Sequence, residues 1–308
     1  GLYNSYCLLR DEGPETFYTG ELSKVLLKDF KEINSFLTLD DLSSYKSELN
    51  ISKNTLYRGS EIHVAPGLNA GPSLIDALNY LEKNWSSKCD NPDKYAYEEY
   101  YKALEFSYEK RLREMDEPKE NSCTTHLSVV DKDGNMVSLT QTLLSVFGSR
   151  VVLPESGILM NNGIMWFDPR EGRPNSLRAD KKPLCNMCPT IVLEKSGKKI
   201  AMGASGGRRI FPAVFQTISF LIDYNMDLNN AFNTPRIDYS GENRILANEN
   251  LNQDIINNLK NYKKTVDVPD SVFSHLFAAP NAVMSDSKGN KYGNAYVPSP
   301  WSSALSSE

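Results

Sequence analysis

The chain is poor in the residues that build metal centres and disulfide frameworks. Its three histidines, His63, His126 and His275, lie far apart, so a multi-histidine zinc site is not expected and no metal is predicted. Five cysteines, Cys7, Cys89, Cys123, Cys185 and Cys188, make an odd count. That argues against a disulfide framework and leans toward a reducing, cytoplasmic setting. Cys185 and Cys188 form a lone C-x-x-C without a second pair; the pattern suits redox or metal chemistry but more often marks small strand or loop residues. Basic charge is not in excess either: 34 Lys and Arg against 39 Asp and Glu leave a net charge of −5. Short pairs such as Lys181-Lys182 and Arg208-Arg209 could attract an anionic substrate at the mouth of a site, but they give no nucleic-acid footprint. No run reaches membrane length, since Ile210 to Ile222 is short and interrupted by Pro212 and Gln216.

What is present reads as helices followed by hairpins, an α+β pattern. Glu21 to Glu32 is amphipathic, with Leu22, Val25, Leu26 and Phe30 on one face, and Thr38 with Asp41 can cap the next short helix. Pro72 to Asn84 and Tyr97 to Met115 continue the helical layer around a Ser86 to Lys94 loop. Thr124 to Asp131 and Met136 to Leu143 alternate as paired strands about Asp133-Gly134-Asn135. Ile210 to Tyr224 and Asn252 to Tyr262 read as helices, and Ala282 to Asp286 with Lys291 to Val297 as a final hairpin. The segments 1–123 and 124–308 are expected to form one interlocked structural domain.

Cys123-Thr124-Thr125-His126 is the stretch with the most chemical content. A hydroxyl is a weak nucleophile without an adjacent base. A threonine at a chain terminus carries its own, because a free α-amino group titrates at about 7.7–8.0. Scission of the Cys123–Thr124 bond would create that amine, so the same hydroxyl would serve processing and catalysis. A pair of β-branched residues entering a strand is, in isolation, ordinary strand chemistry. A rival lies in Gly203-Ala204-Ser205-Gly206-Gly207, which fits G-x-S-x-G between an apparent strand and an apolar helix. Asp267, Asp270 and His275 follow Ser205 in the order a serine hydrolase would need.

The longer pattern bears on this choice. Thr124-Thr125-His126, Asp133-Gly134-Asn135, Glu155-Ser156-Gly157-Ile158-Leu159, Asn161-Asn162, Pro183-Leu184, Met187, Pro189-Thr190 and Gly206-Gly207-Arg208-Arg209-Ile210 occur in this order. Over Thr124 to about Arg236 the chain resembles the small subunit of the γ-glutamyltransferase family. Before it, Phe17-Tyr18-Thr19-Gly20, Leu37 to Leu42 and Tyr57-Arg58-Gly59 resemble the later part of that family's large subunit. The resemblance implies a four-layer αββα sandwich of the N-terminal-nucleophile hydrolase type, cut into large and small subunits that stay together, with no cofactor. It implies Cys123–Thr124 as the processing site, Thr124 as nucleophile, Thr142 as its supporting hydroxyl, and Gly206 and Gly207 as the oxyanion-stabilising pair. It further implies a small-molecule amide or γ-glutamyl substrate with water or an amine as acceptor, and allows a homo-oligomer. Gly1 is not an initiator residue, and the resemblance implies a start within the large subunit. The arginine that grips the substrate carboxylate would precede Gly1, and the stretch from Arg111 to Thr124 is shorter than the resemblance implies.

Departures from the family pattern concentrate where substrate is recognised. Leu144 stands for an asparagine, Gly163 for a glutamine after Asn161-Asn162, and Trp166 for an aspartate that pairs with the glutamyl amino group. Cys185 and Asn186 stand for two serines that bind the α-carboxylate. Thr125, Asn162, Trp166, Cys185 and Asn186 are therefore the candidate substrate-binding residues. Trp166 to Arg170 resembles a divergent branch that includes small-acid amidohydrolases and acylases, and Asp168 could compensate in part for the lost aspartate. A non-catalytic relative is the remaining alternative.

Overall fold

The computed structural model describes residues 1–115, 123–269, 276–296 and 298–306. In chain order these form α1 (Leu2–Glu12), α2 (Glu21–Glu32), α3 (Leu39–Ser44), β1 (Lys53–Tyr57), β2 (Ser60–Val64), α4 (Gly71–Asn84), α5 (Lys94–Met115), β3 (Cys123–Val130) and β4 (Met136–Leu144). There follow β5 (Thr190–Leu193), β6 (Lys199–Ser205), α6 (Ile210–Asp223), α7 (Leu228–Asn233), β7 (Ile237–Asp238), β8 (Ile245–Asn248), α8 (Gln253–Lys260), β9 (Thr265–Val268), β10 (Ala279–Ser285) and β11 (Lys291–Ala295). The chain divides into two packed units, Gly1–Asn50 with Leu143–Gly163, and Ile51–Thr142 with Ile164–Glu308.

In the first unit the helical spacing of Leu22, Leu26 and Phe30 brings them to one buried face of α2, against Leu153. Asp29, on the same helix, is fully buried, and its carboxylate accepts the N–H groups of Glu155 at 2.7 Å and Ser156 at 2.9 Å. Thr38 and Asp41 form the reciprocal capping box that starts α3.

The second unit is built on an antiparallel sheet in the order β1-β2-β5-β6-β10-β11. One face is covered by α4 and α6, with α5 packed on α4. There Ile62, Val64, Val192, Ile200, Met202 and Ala204 join Phe211 and Phe215 in the core. α6 is apolar around most of its circumference and buried accordingly, and each fully enclosed phenylalanine contributes about 1.5–3 kcal/mol. The β3–β4 hairpin packs across the opposite face, on β6 and β10. β6 is thus covered on both sides, which is why its sequence does not alternate. A smaller sheet, β7-β8-β9, joins β8 and β9 in parallel. This unit therefore stacks helices, a large sheet and a hairpin. The first hairpin, β1–β2, is not evident from the sequence because its turn places Arg58 (φ 52°) beside Gly59 (φ 76°), where an asparagine usually marks such a turn.

Candidate active site

The hairpin register is set at its tip. The Asp131 carboxylate accepts the N–H groups of Asp133 at 2.8 Å and Asn135 at 2.9 Å, and the Asn135 side chain at 2.7 Å. Gly134 takes φ 83°, an Asx-type turn that only a residue free of Cβ enters at no cost. The Asn135 side chain, then the backbone donors, hold the Asp131 carboxyl below its ordinary range. Asp131 pairs with Asn135 at 3.0 Å, and farther along the same register the His126 imidazole meets Thr140 at 2.8 Å. Carried two residues further, this register sets Thr124 opposite Thr142.

Strand alternation directs Thr124, His126 and Ser128 of β3, and Ser138, Thr140 and Thr142 of β4, to the inner face of the hairpin. Ser138 Oγ donates to Met202 O at 2.8 Å and accepts Thr190 N–H at 3.0 Å, tying that face to β5 and β6. Thr125 falls on the outer, exposed face with Leu127 and Val129, so it is not brought to the side that Thr124 shares with His126.

Two contacts orient the hairpin over the sheet. The His126 ring lies directly above Gly203, 2.3 to 2.7 Å from where a Cβ would sit. Toward the tip, Lys291 Nζ donates to Lys132 O at 3.4 Å, and Lys291 pairs with Ser285, which pairs with Lys199 at the start of β6. β3 therefore runs opposite to β6, and the Thr124–Thr142 end lies toward Ser205 and Gly206.

There the chain turns sharply into α6. Gly206 has φ 140°, and a Cβ on it would stand 2.7 Å from the Cα of Ala278. Gly207, φ 63°, opens the short turn Gly207–Arg209 that leads into the helix. Backbone N–H groups at such a strand-to-helix turn are disposed to receive negative charge.

The same geometry accounts for the G-x-S-x-G pattern. Ser205 is the last residue of β6, paired with Ala279, and it has none of the positive φ found at the two glycines that follow. A nucleophile elbow sets its serine at the strained apex, on a mostly parallel sheet. Here the apex is Gly206-Gly207 and the sheet is antiparallel. Gly203 is free of a side chain because His126 fills that space. Asp267 is exposed on β9, and Asp270 and His275 lie outside the described residues.

The residues expected to bind substrate lie elsewhere in the structure. In the second unit the Asn186 side chain is buried and its Oδ1 accepts Arg111 Nη2 at 3.1 Å; the same nitrogen donates to Cys185 O at 2.7 Å. Arg111 also donates to Asn69 O at 3.0 Å. Asp168 is buried and bound by Arg170 through Nη2 at 2.6 Å and the backbone N–H at 2.8 Å. The Trp166 carbonyl accepts Asn175 Nδ2 at 2.6 Å, and its indole N–H is enclosed with no protein acceptor among the described residues. Cys188 is fully buried, which pushes its thiol up to about 12 and leaves it unreactive near neutral pH. Among the described residues no cluster of three metal-ligating side chains forms. In the first unit Asn162 Oδ1 accepts Ser145 N–H at 3.0 Å and Nδ2 donates to Ser145 Oγ at 2.8 Å, while Gly163 N–H is held by Asn161 at 2.8 Å. Leu144 is buried at φ 74°, a conformation that asparagine tolerates far better than leucine.

Arg111 is the residue that sequence reading missed. The signal was present: Tyr97, Tyr101, Leu104, Tyr108 and Arg111 recur at spacings of four and three, which puts the arginine on the buried stripe of α5.

A family model described as Gamma-glutamyltranspeptidase matches residues 1–122 and 113–295. The chain belongs to the γ-glutamyltranspeptidase family. It is 30% identical over 288 residues to the glutathione hydrolase proenzyme of Escherichia coli K12, covering 76% of this chain and 50% of that protein. It is also 30% identical over 268 residues to the acylase ACY 1 proenzyme of Pseudomonas sp. SE83, covering 75% and 48%. The chain thus spans about half the length of these relatives. In three dimensions it matches the crystal structure of cephalosporin acylase from Bacillus halodurans with a TM-score of 0.82 at 21% identity, over 96% of this chain and 60% of the other, a likeness of fold. A glutathione hydrolase and an acylase thus stand at equal identity to this chain.

Proposed function

We propose that this γ-glutamyltranspeptidase-family chain is a self-processing amidohydrolase or acyltransferase with Thr124 as its N-terminal nucleophile. What supports it best is the hairpin register read from His126–Thr140 and Asp131–Asn135, which sets Thr124 opposite Thr142 toward the end of the sheet where Gly206 and Gly207 turn. In processing, Thr124 Oγ attacks the Cys123 carbonyl carbon, the C–N bond breaks as nitrogen takes the proton, and water hydrolyses the resulting ester. This leaves a carboxylate on Cys123 and a free amine on Thr124, so large and small subunits arise from one precursor, as the word proenzyme indicates for the relatives.

In turnover the amine takes the Thr124 hydroxyl proton while Oγ attacks an amide carbonyl, then delivers it to the departing amine. Gly206 and Gly207 N–H groups receive the oxyanion, and Thr142 supports the nucleophile. Water or an acceptor amine then releases the acyl group. The apolar, exposed outer face of the hairpin, with Leu127, Val129, Val137 and Leu139, supports a further layer there, as in a four-layer αββα sandwich.

The acyl group differs from glutamate in this reading. Trp166 offers an N–H donor where an ammonium needs an acceptor, and Asn186 and Asp168 are committed to arginines. These observations favour a small-acid amide over a γ-glutamyl one, with Trp166, Cys185 and Asn186 shaping the acyl pocket. The test is labelling of the processed protein with an electrophilic glutamine analogue and with an acyl-transferring small-acid ester. A mass increment on Thr124 is expected, faster with the small acid; labelling of Ser205, or of neither residue in a folded protein, contradicts the reading.

A further inference from the structure

Beneath the proposed nucleophile lies a directional ring of hydrogen bonds that processing and turnover, as described, do not use. Asn281 sets its sense. Its Nδ2 donates to the His126 carbonyl at 2.7 Å, which can only accept, so Oδ1 is left to accept the Ser128 hydroxyl at 3.2 Å. With that proton committed, Ser128 Oγ accepts His126 Nε2–H at 3.0 Å. The ring therefore carries a proton on Nε2, and because burial keeps it neutral its Nδ1 accepts the Thr140 hydroxyl at 2.8 Å. Thr140 neighbours Thr142 on the inner face, and Thr142 stands opposite Thr124. The ring is held from below as well: a Cβ on Gly203 would lie 2.3 Å from Cε1, 2.5 Å from Nδ1 and 2.7 Å from Nε2.

We propose that His126, seated on Gly203, is a positioning residue for the Thr124 hydroxyl, an inference that rests on the function proposed above. It anchors β3 to β6 and β10 two residues from the nucleophile and fixes the direction in which the Thr140 hydroxyl points. Gly203 serves the same end by leaving room for the ring. His126 neither touches substrate nor moves a proton in this account; it sets where Thr124 stands.

The test compares full-length precursors of the wild type, Thr124→Ala, His126→Ala, His126→Asn, Gly203→Ala and the double variant His126→Ala with Gly203→Ala. The readouts are the first-order rate of scission before Thr124, the unfolding midpoint, and kcat and KM on whichever of γ-glutamyl- and glutaryl-p-nitroanilide the wild type hydrolyses. His126→Ala and Gly203→Ala are each expected to slow scission and lower kcat by about 100-fold, the scale of a small misplacement, with KM within about threefold. The double variant should be no slower than His126→Ala alone, because the clash at Gly203 then has no ring to act on. His126→Asn, which keeps an acceptor near the Nδ1 position, should regain about tenfold of the kcat lost. If His126→Ala does not fold, His126→Asn and Gly203→Ala carry the comparison.

Wild-type rates in the single variants, losses that multiply in the double variant, or losses that only follow the unfolding midpoint would each overturn the inference. Scission and turnover persisting in Thr124→Ala would instead overturn the function on which it rests. A silent Thr124→Ala beside unaffected His126 variants removes the positioning role alone.

Discussion

The inner face of the β3–β4 hairpin and the loop from Trp166 to Asn186 use their polar side chains in opposite ways. On the hairpin, strand register and a tight turn bring hydroxyls and glycines to one end of the sheet. Along the loop, polar side chains are engaged by the protein itself: Asn186 by Arg111, Asp168 by Arg170, and Asn175 by the Trp166 carbonyl. Bond-breaking chemistry needs fixed geometry that few residues can supply. Along the loop, neighbouring arginines hold the carbonyl, amide and carboxylate groups instead.

The contrast can be broken most severely at Gly206. Gly206→Ala forces a Cβ toward Ala278 at φ 140°, and kcat should fall by about 10³-fold, measured on processed protein whose circular dichroism is unchanged. An unaltered kcat would remove the glycine turn from the chemistry. Beneath the loop, on α5, Arg111→Met removes a buried cation from acceptors that include Asn69 O, Cys185 O and Asn186 Oδ1, and should cost about 3 kcal/mol in urea unfolding, against little change if the arginine were a solvated surface group.

A pH titration separates the two regions in another way. Burial pulls His126 from 6.5 down to about 4. The unfolded chain therefore binds the extra proton first. Stability from this group is complete above about pH 6.5 and declines by about 1.4 kcal/mol per pH unit as pH falls toward 4. His126→Gln should flatten that limb in chemical denaturation at several pH values, and an unchanged slope would assign the acid sensitivity elsewhere.

Trp166→Asp, with Asn186 left in place to satisfy Arg111, should raise kcat/KM on a γ-glutamyl anilide about tenfold by restoring one charge-assisted contact. No gain would mean that the acyl pocket differs by more than this side chain. Ser205→Ala should leave scission and turnover within about twofold, since Ser205 ends a regular strand; a large loss would restore the serine reading.

Much of the hairpin was legible because its determinants are local. Asp133-Gly134-Asn135 sets the turn, the turn length sets the register, and the register pairs Thr124 with Thr142 without tertiary information. The faces of α2 and the capping box of α3 were readable for the same reason. β1, β2 and β5 were not, since β1 and β2 meet at an Arg-Gly turn and β5 is a four-residue strand entered from a long loop. Nor could the sequence tell that Asn186 and Asp168 are already engaged, because the partner of a side chain depends on which neighbour reaches it. Gly203 was misleading in sequence, where it completes a hydrolase motif, and became intelligible only once the His126 ring was seen above it.

The most direct test of the central claim is the intact mass of the full-length gene product under denaturing conditions, with N-terminal sequencing of every fragment. Two chains are expected, one beginning at Thr124, and a single uncut chain in Thr124→Ala. A folded wild-type protein that remains one chain, or is cut elsewhere, contradicts it.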